Sequence, residues 1–217
     1  MTLLASLRRR AKDVVFDVLP ANLAIRRGPA TGRRVAITFD DGPDELTGEY
    51  LDLLDRLEVP ATFFVMGEAS SERPELVREY VRRGHQVAGH GWDHQSFPAL
   101  SVPALRDQLR KTDAALGAQP TTRSWVRPPH GASNARVVGQ MIASGYTIAL
   151  WSFDSKDYEI QDPAELVARC DPSRMTAGEV LLFHEGQRWT LDALPTIVGN
   201  LRAAGFACVT MADLFAA

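Results

Sequence analysis

The sequence has few cysteines, no long hydrophobic run and, over most of its length, few basic residues. Its 217 residues include only two cysteines, Cys170 and Cys208, which form no CxxC motif and lie far apart, so no disulfide framework is expected. No apolar run approaches the roughly 20 residues that a membrane-spanning helix needs. Three arginines (residues 8–10) interrupt the apolar start LLASL, which is not the order of a secretory signal. We therefore expect a cytoplasmic protein.

Charge is divided unevenly along the chain. Residues 1–34 hold eight Lys/Arg and two Asp/Glu, a net charge of +6, whereas the remainder holds 16 and 25, a net charge of −9. A body this acidic lacks the basic face that binds a nucleic-acid backbone. Nucleic acid is therefore excluded as an expected partner.

Residues 3–19 are predicted to form an amphipathic helix. An apolar stripe at helical spacing is bordered by arginines and a lysine, and Pro20 ends the pattern. Such a helix either packs across the surface of the domain or lies on a membrane. We favour packing, with peripheral contact at the inner membrane face as the alternative. The helix and its linker make up residues 1–32.

From residue 33 onward, short β-rich runs alternate with helical segments. The runs are RRVAITF (33–39), ATFFVMG (61–67), HQVAGHG (85–91), SWVRPPHG (124–131), YTIALWSFD (146–154), EVLLFHEG (179–186) and FACVTM (206–211). The alternation predicts an α/β domain, residues 33–217, with a parallel sheet covered by helices. An open doubly wound sheet and a closed barrel both fit, although the chain is shorter than the ~250 residues of a full eightfold barrel.

Acidic and basic side chains lie at the ends of five of these runs or shortly after them. They are Asp40 and Asp41, His90 and His94, Arg127 and His130, Asp154 and Asp157, and His184 and Glu185. Parallel strands deliver their carboxyl ends to one face of the sheet, and that face carries the active site. We therefore expect these side chains to surround a single cleft.

The pair Asp40 and Asp41 predicts a cation site. Adjacent carboxylates repel each other when both are ionised, and a bound cation offsets that repulsion. His90 and His94, four residues apart, can direct two imidazoles at the same ion. With one aspartate they provide three protein ligands and leave positions open, as in catalytic zinc sites. Non-haem iron oxygenases use a similar ligand set, but that chemistry leaves Asp40 and His184 without a role.

Five motifs in order resemble those of the polysaccharide deacetylases with a NodB homology domain, carbohydrate esterase family 4. They are TFDDGP (38–43), HGWDH (90–94), RPPHG (127–131), WSFDSKDY (151–158) and LLFHE (181–185). The resemblance covers residues 33–214. It implies a distorted (β/α) barrel of about seven parallel strands. It also implies a metal-dependent hydrolase of a linear amide C–N bond, which removes an N-acetyl or other N-acyl group from an amino sugar.

The resemblance also implies a metal and a general base. Asp41, His90 and His94 would hold a divalent metal, expected to be Zn²⁺, with Co²⁺, Ni²⁺ or Mn²⁺ as alternatives. Asp40 would take a proton from the attacking water, and Arg127 would keep Asp40 ionised and oriented.

On the same basis, His184 would be the general acid for the departing amine. Asp157 would keep His184 protonated, since a nearby carboxylate raises the pKa of an imidazole. Four further residues are expected to contact the N-acylated amino-sugar substrate: His130, Pro129, Tyr158 and Trp189.

Four positions depart from the family pattern. Gly91 stands where Ser or Thr is usual, His130 where Tyr is common, Tyr158 where Trp is common and Glu185 where Asp is frequent. None of them removes a ligand, so we expect activity. They bear on which sugar is bound.

Three substrate or function classes stay open at this point. In the first class, the enzyme acts on a polysaccharide, oligosaccharide or glycan precursor. In the second, it deacetylates or deformylates a lipid-linked or small-molecule amino sugar. The third class is an inactive carbohydrate-binding module, in which aromatic side chains near the cleft stack on sugar rings. The sequence does not indicate an oligomeric state.

Overall fold

The computed structural model describes residue 20, residues 23–117 and residues 125–216. The predicted helix over residues 3–19 lies outside these ranges, and its membrane contact stays a prediction. Within the described ranges, no helix is both long enough and apolar enough to cross a membrane.

Nine parallel strands form one sheet in the described part of the chain. Their order is β1-β6-β5-β4-β3-β2-β8-β7, with β9 paired to β2. The strands are β1 (Ala24–Ile25), β2 (Arg34–Asp40), β3 (Thr62–Val65), β4 (Gln86–Gly89), β5 (Trp125–Val126), β6 (Thr147–Ala149), β7 (Phe153–Asp154), β8 (Val180–His184) and β9 (Ala207–Val209). The predicted distorted (β/α) barrel is confirmed, with more strands than the seven expected.

The two additional strands have separate causes. β1 lies before the first predicted run and pairs with β6 through Ala24 and Ile25, a stretch too short to show a strand pattern. The single predicted run at 146–154 contains two strands, β6 and β7. They are separate strands because β6 pairs with β5 and β1 near one end of the strand order, whereas β7 pairs with β8 at the other end.

Eight helices connect or flank the described strands. They are α1 (Thr47–Leu57), α2 (Gly67–Glu72), α3 (Pro74–Arg82), α4 (Val102–Leu116), α5 (Ala135–Ala143), α6 (Pro163–Arg169), α7 (Arg188–Ala203) and α8 (Met211–Phe215). Polar side chains begin several of them by accepting a hydrogen bond from an amide in the first turn. These N-caps are Ser101, Asn134, Asp162 and Thr210.

The core is centred on β2, which is buried on both faces, as expected of a parallel strand covered by helices. Phe39 of β2 lies 5.2 Å from the ring of Phe63 on β3 and 5.9 Å from the ring of Phe183 on β8. Beyond this aromatic packing, Asp40 ends β2 in register with His184, which ends β8. A rigid central strand therefore positions the first predicted site residue.

Candidate active site

The carboxyl ends of neighbouring strands bring the predicted residues together. Asp40 ends β2 and His184 ends β8. His90 and Arg127 directly follow β4 and β5, which pair at their ends through Gly89 and Val126. Parallel register therefore places four of the five motifs at one edge of the sheet.

Asp41, His90 and His94 form the candidate metal site. One ligand atom from each lies within 4.8 Å of the others. Asp41 Oδ1 is 3.4 Å from His90 Nε2 and 3.2 Å from His94 Nε2. This Asp41 oxygen is buried and has no hydrogen-bond partner in the described structure. Two imidazoles and a carboxylate with an unsatisfied buried oxygen fit a divalent cation.

The electrostatics of Asp41 also suit a ligand. Burial by itself raises the pKa of this carboxyl, but the imidazoles of His90, His94 and His184 outweigh it and hold the pKa below its usual range. Asp41 is therefore ionised at neutral pH, as a metal ligand must be.

The two histidine ligands are held differently. His90 Nδ1 lies 2.8 Å from the carbonyl oxygen of Arg127. Donation from Nδ1 to that carbonyl leaves the Nε2 lone pair directed at Asp41. His94 lies on a loop, has a φ of 60° and is more exposed than His90.

Gln108 of α4 holds the loop that carries His94, and sequence reasoning missed it. Its Oε1 accepts a hydrogen bond from the amide of Trp92 at 2.6 Å, and its Nε2 donates to Asp93 Oδ1 at 2.6 Å. In the same loop, Gly91 has a φ of 83°, and a Cβ there would lie 3.0 Å from the ring of Phe97. Gly91, which stands where the family usually has Ser or Thr, therefore suits a backbone conformation in which a side chain would be strained.

Asp40 and Arg127 form a buried ion pair. Arg127 Nη1 donates to Asp40 Oδ1 at 2.5 Å and to Thr38 Oγ1 at 2.9 Å. Nη2 and Nε donate to the carbonyls of Leu150 and Ala149, at 3.1 and 3.3 Å. Because Oδ1 is occupied by arginine, Asp40 Oδ2 is the oxygen that faces the metal site, 3.6 Å from His90 Nε2. An ionised carboxylate with one oxygen directed into the cleft can act as a general base.

His184 and Asp157 form a second pair across the cleft. His184 Nδ1 lies 2.7 Å from Asp157 Oδ1. Burial lowers the pKa of His184, but the hydrogen bond and charge of Asp157 outweigh it and raise the pKa to about 9. An imidazolium that persists at neutral pH, with Nδ1 engaged, leaves Nε2–H to donate a proton.

Asp157 is itself fixed by three contacts. The amide of His184 and the hydroxyl of Thr190 donate to Asp157 Oδ2 at 2.8 and 2.9 Å. Trp189 Nε1 donates to the Asp157 carbonyl at 2.7 Å. Trp189 also packs against the core, so its indole supports the acid pair in addition to the substrate contact predicted for it.

His130 and Tyr158 lie at the rim. His130 is exposed, has a φ of 59° and places its ring 4.4 Å from that of His94. Pro129 is buried beside it. Tyr158 is 45% exposed, with its ring 5.4 Å from that of His184. Their substrate contacts stay predictions, but His130 and Tyr158 are accessible from the cleft.

Asp154, which ends β7, and Glu185, which follows β8, lie beside the site and have local partners. Asp154 Oδ1 accepts the amide of Lys156 at 3.0 Å, and Oδ2 accepts the hydroxyl of Tyr158 at 3.3 Å. Glu185 accepts hydroxyls of Thr47 and Tyr80. Burial raises the pKa of Glu185 to about 8.

Comparison with known proteins gives a family match for this chain. The polysaccharide deacetylase family model matches residues 27–149. Over 212 residues the chain is 35% identical to the peptidoglycan-N-acetylglucosamine deacetylase PgdA of Listeria monocytogenes, covering 94% of this chain and 44% of the relative. The chain thus spans less than half the length of that protein.

Two shorter relatives match over most of both chains. A chitooligosaccharide deacetylase of Rhizobium leguminosarum bv. trifolii is 31% identical, with 85% of this chain and 83% of the relative covered. The T48 deacetylase, solved with substrate, superposes with a TM-score of 0.80 at 34% identity and covers 86% of this chain and 92% of its own. The family match, the shared fold and the strand-end site lead to one conclusion: the chain belongs to the polysaccharide deacetylase family.

Proposed function

We propose that the protein is a metal-dependent hydrolase that removes an N-acyl group, foremost N-acetyl, from an amino sugar. The observation that carries the proposal is the placement of two different proton-transfer pairs beside one ligand cluster. Asp40 with Arg127 and His184 with Asp157 accompany Asp41, His90 and His94 at the strand ends. A base, an acid and an open metal site are the parts that amide hydrolysis needs.

A divalent cation, which we propose to be Zn²⁺, would be held by Asp41, His90 and His94. When bound, it would lower the pKa of a coordinated water and polarise the acyl carbonyl. The side chains supply the remaining chemistry. Asp40 Oδ2 accepts the proton of the attacking water, and Arg127 stabilises the carboxylate before the transfer. His184 Nε2 donates a proton to the sugar nitrogen as the C–N bond breaks, so the products are an amine and a carboxylic acid.

The substrate that we propose carries N-acetylglucosamine. Two of the relatives are named for the deacetylation of peptidoglycan N-acetylglucosamine and of chitooligosaccharides. The exposed rings of His130 and Tyr158 beside the cleft are suited to contact the faces of a sugar.

The experiment is acid release from a panel of N-acylated amino sugars. The panel comprises chitooligosaccharides, peptidoglycan fragments, a lipid-linked precursor and N-formyl counterparts. Metal-stripped protein is assayed with and without added Zn²⁺, and Zn²⁺ binding is measured separately. We expect release only with Zn²⁺, and we expect His94→Ala to lose both binding and release.

Two outcomes would overturn the proposal. Release that is undiminished in metal-stripped protein would remove the metal from the mechanism. Bound Zn²⁺ and measurable sugar affinity with no release from any panel member would instead identify an inactive carbohydrate-binding module.

A further inference from the structure

We propose that Glu185, Tyr80 and Thr47, here called the Glu185 cluster, position Asp41 in the metal site. The cluster is distinct from the ligand group, which in the described ranges comprises Asp41, His90 and His94. The inference rests on the proposed metal-dependent function and adds three positioning residues to it.

The cluster is a buried, hydrogen-bonded unit built from three elements. Tyr80 of α3 donates its hydroxyl to Glu185 Oε1 and Oε2, at 2.9 and 2.7 Å. Thr47, the first residue of α1, donates its hydroxyl to Glu185 Oε1 at 2.9 Å. Glu185 is 3% exposed, and the other two residues are fully buried. A carboxyl group this deeply buried stays in place only while its hydroxyl partners satisfy it.

The Glu185 carboxyl lies directly against the turn that carries Asp41. A Cβ built on Gly42 would come within 1.6 Å of Glu185 Oε2, so the carboxyl oxygen occupies the space that any side chain at Gly42 would need. The backbone amide of Glu185 donates to the Asp40 carbonyl at 3.0 Å. Glu185 therefore contacts the residue on each side of Asp41.

Thr47 extends this contact to the far end of the turn. Its Oγ1 accepts a hydrogen bond from the amide of Asp44 at 2.8 Å while its proton goes to Glu185. Gly42 is also held by a separate backbone contact, because its carbonyl accepts the amide of Met66 at 2.9 Å. The turn is thereby fixed at Asp40, Gly42 and Asp44.

Asp41 needs this support because its backbone is strained. Its φ is 76°, a left-handed conformation that persists in a non-glycine residue only when surrounding contacts impose it. A ligand must also be held to about half an ångström for a metal site to keep its geometry. If the Glu185 cluster loosens, Asp41 Oδ1 moves away from His90 and His94, and metal affinity falls.

The test compares two tyrosine-to-phenylalanine variants. Tyr80→Phe removes the hydroxyl that holds Glu185. Tyr146→Phe is the matched control, since Tyr146 donates its hydroxyl to a carboxylate, Asp113 Oδ2 at 2.6 Å, on α4. Zn²⁺ affinity of metal-stripped protein is measured by chelator competition, and thermal stability is measured without metal. We expect Tyr80→Phe to weaken Zn²⁺ binding about tenfold, as changes around metal ligands commonly do, and Tyr146→Phe to leave it within about twofold.

Variants of Glu185 and Thr47 test the same inference if Tyr80→Phe folds poorly. Glu185→Gln keeps the length of the side chain and an oxygen acceptor, so it is expected to retain more affinity than Glu185→Ala. Thr47→Val is expected to weaken Zn²⁺ binding in the same direction as Tyr80→Phe.

The outcomes separate this inference from the proposed function. Wild-type Zn²⁺ affinity in Tyr80→Phe and Thr47→Val, whatever their stability, would show that the cluster is purely structural and would overturn the inference alone. Failure of the wild-type protein to bind Zn²⁺ would overturn the proposed metal site and the inference with it.

Discussion

The two sides of the cleft hold their proton-transfer groups in different environments. On the base side, Asp40 pairs with Arg127, and both side chains are almost completely inaccessible, at 3% and 0% exposed. On the acid side, the imidazole of His184 is 16% exposed while its partner Asp157 is fully buried. The proposed base, Asp40, is therefore buried in the wall of the cleft, whereas the imidazole of the proposed acid, His184, is partly exposed.

This difference matches the roles that we propose for the two groups. An arginine cannot release its proton in a protein, so Arg127 presents a permanent positive charge to the carboxyl group of Asp40. A general acid must instead hold a proton and then release it. An imidazole with a raised pKa, partly exposed to the cleft, meets that requirement. The pH dependence of the reaction on the alkaline side is therefore expected to come from His184.

Replacing the base is expected to have the largest effect. Asp40→Asn keeps the shape of the side chain and an acceptor for Arg127 but cannot accept a proton. We expect kcat to fall by about 10²–10⁴, the usual contribution of a general base, while Zn²⁺ stays bound because no ligand is lost. The checks are steady-state kinetics and metal content. Near-normal kcat would show that Asp40 is not the base.

His85 is expected to make the stability of the fold depend on pH independently of the active site. It is buried away from the cleft, its Nδ1 accepts the amide of Ala61 at 3.2 Å, and its Nε2 has no hydrogen-bond partner in the described structure. Burial lowers its pKa to about 4, while the nearby charge of Asp55 raises the pKa slightly and that of Arg83 lowers it slightly. The unfolded chain binds this proton below about pH 6.5, so protonation favours unfolding.

The free energy of unfolding is therefore expected to decrease by about 3 kcal/mol through His85 as pH falls from about 6.5 to 4. Urea titrations across this range measure the change. His85→Gln, which does not titrate, is expected to have a shallower slope. Parallel pH dependence in the two proteins would exclude His85 as its source.

Weakening the acid side is expected to shift a pH profile more than it lowers the maximum rate. Asp157→Asn removes the charge that raises the pKa of His184 to about 9. His184 must be protonated to act, so activity declines as pH rises through this pKa. In the variant we expect the decline to move toward about pH 6.5, the ordinary pKa of histidine, with a smaller loss of kcat at lower pH. An unchanged alkaline limb would assign that limb to another group.

The smallest effect is expected from the residue that supports the acid pair. Trp189→Phe keeps an aromatic ring but removes the N–H that donates to the Asp157 carbonyl. One neutral hydrogen bond contributes about 1 kcal/mol, so kcat is expected to fall by no more than about fivefold. Measurement of kcat and KM separately tests the role: a change confined to KM would indicate that Trp189 acts through substrate contact alone.

The sequence predicted the fold class and the position of the site because both depend on local patterns. Alternating strands and helices predict a parallel sheet, and polar residues at strand ends then share one edge. The same reasoning could not find Thr38, Gln108 or Tyr80. Each of them acts through a hydrogen bond to a residue distant in the chain, such as Tyr80 to Glu185 or Thr38 to Arg127, and nothing in the neighbouring sequence marks that partner.

What the sequence by itself determined is therefore the chemical inventory: two aspartates, two histidines, an arginine and a further Asp–His pair, each at or shortly after the end of a strand. What the tertiary structure decided is how each group is held. It directs one oxygen of Asp40 to Arg127 and the other to the metal site, turns Nδ1 of His184 to Asp157, and packs Glu185 behind the strained turn at Asp41. The physical reason is that charge, protonation state and ligand geometry depend on burial and on distances between strands, which only the folded chain specifies.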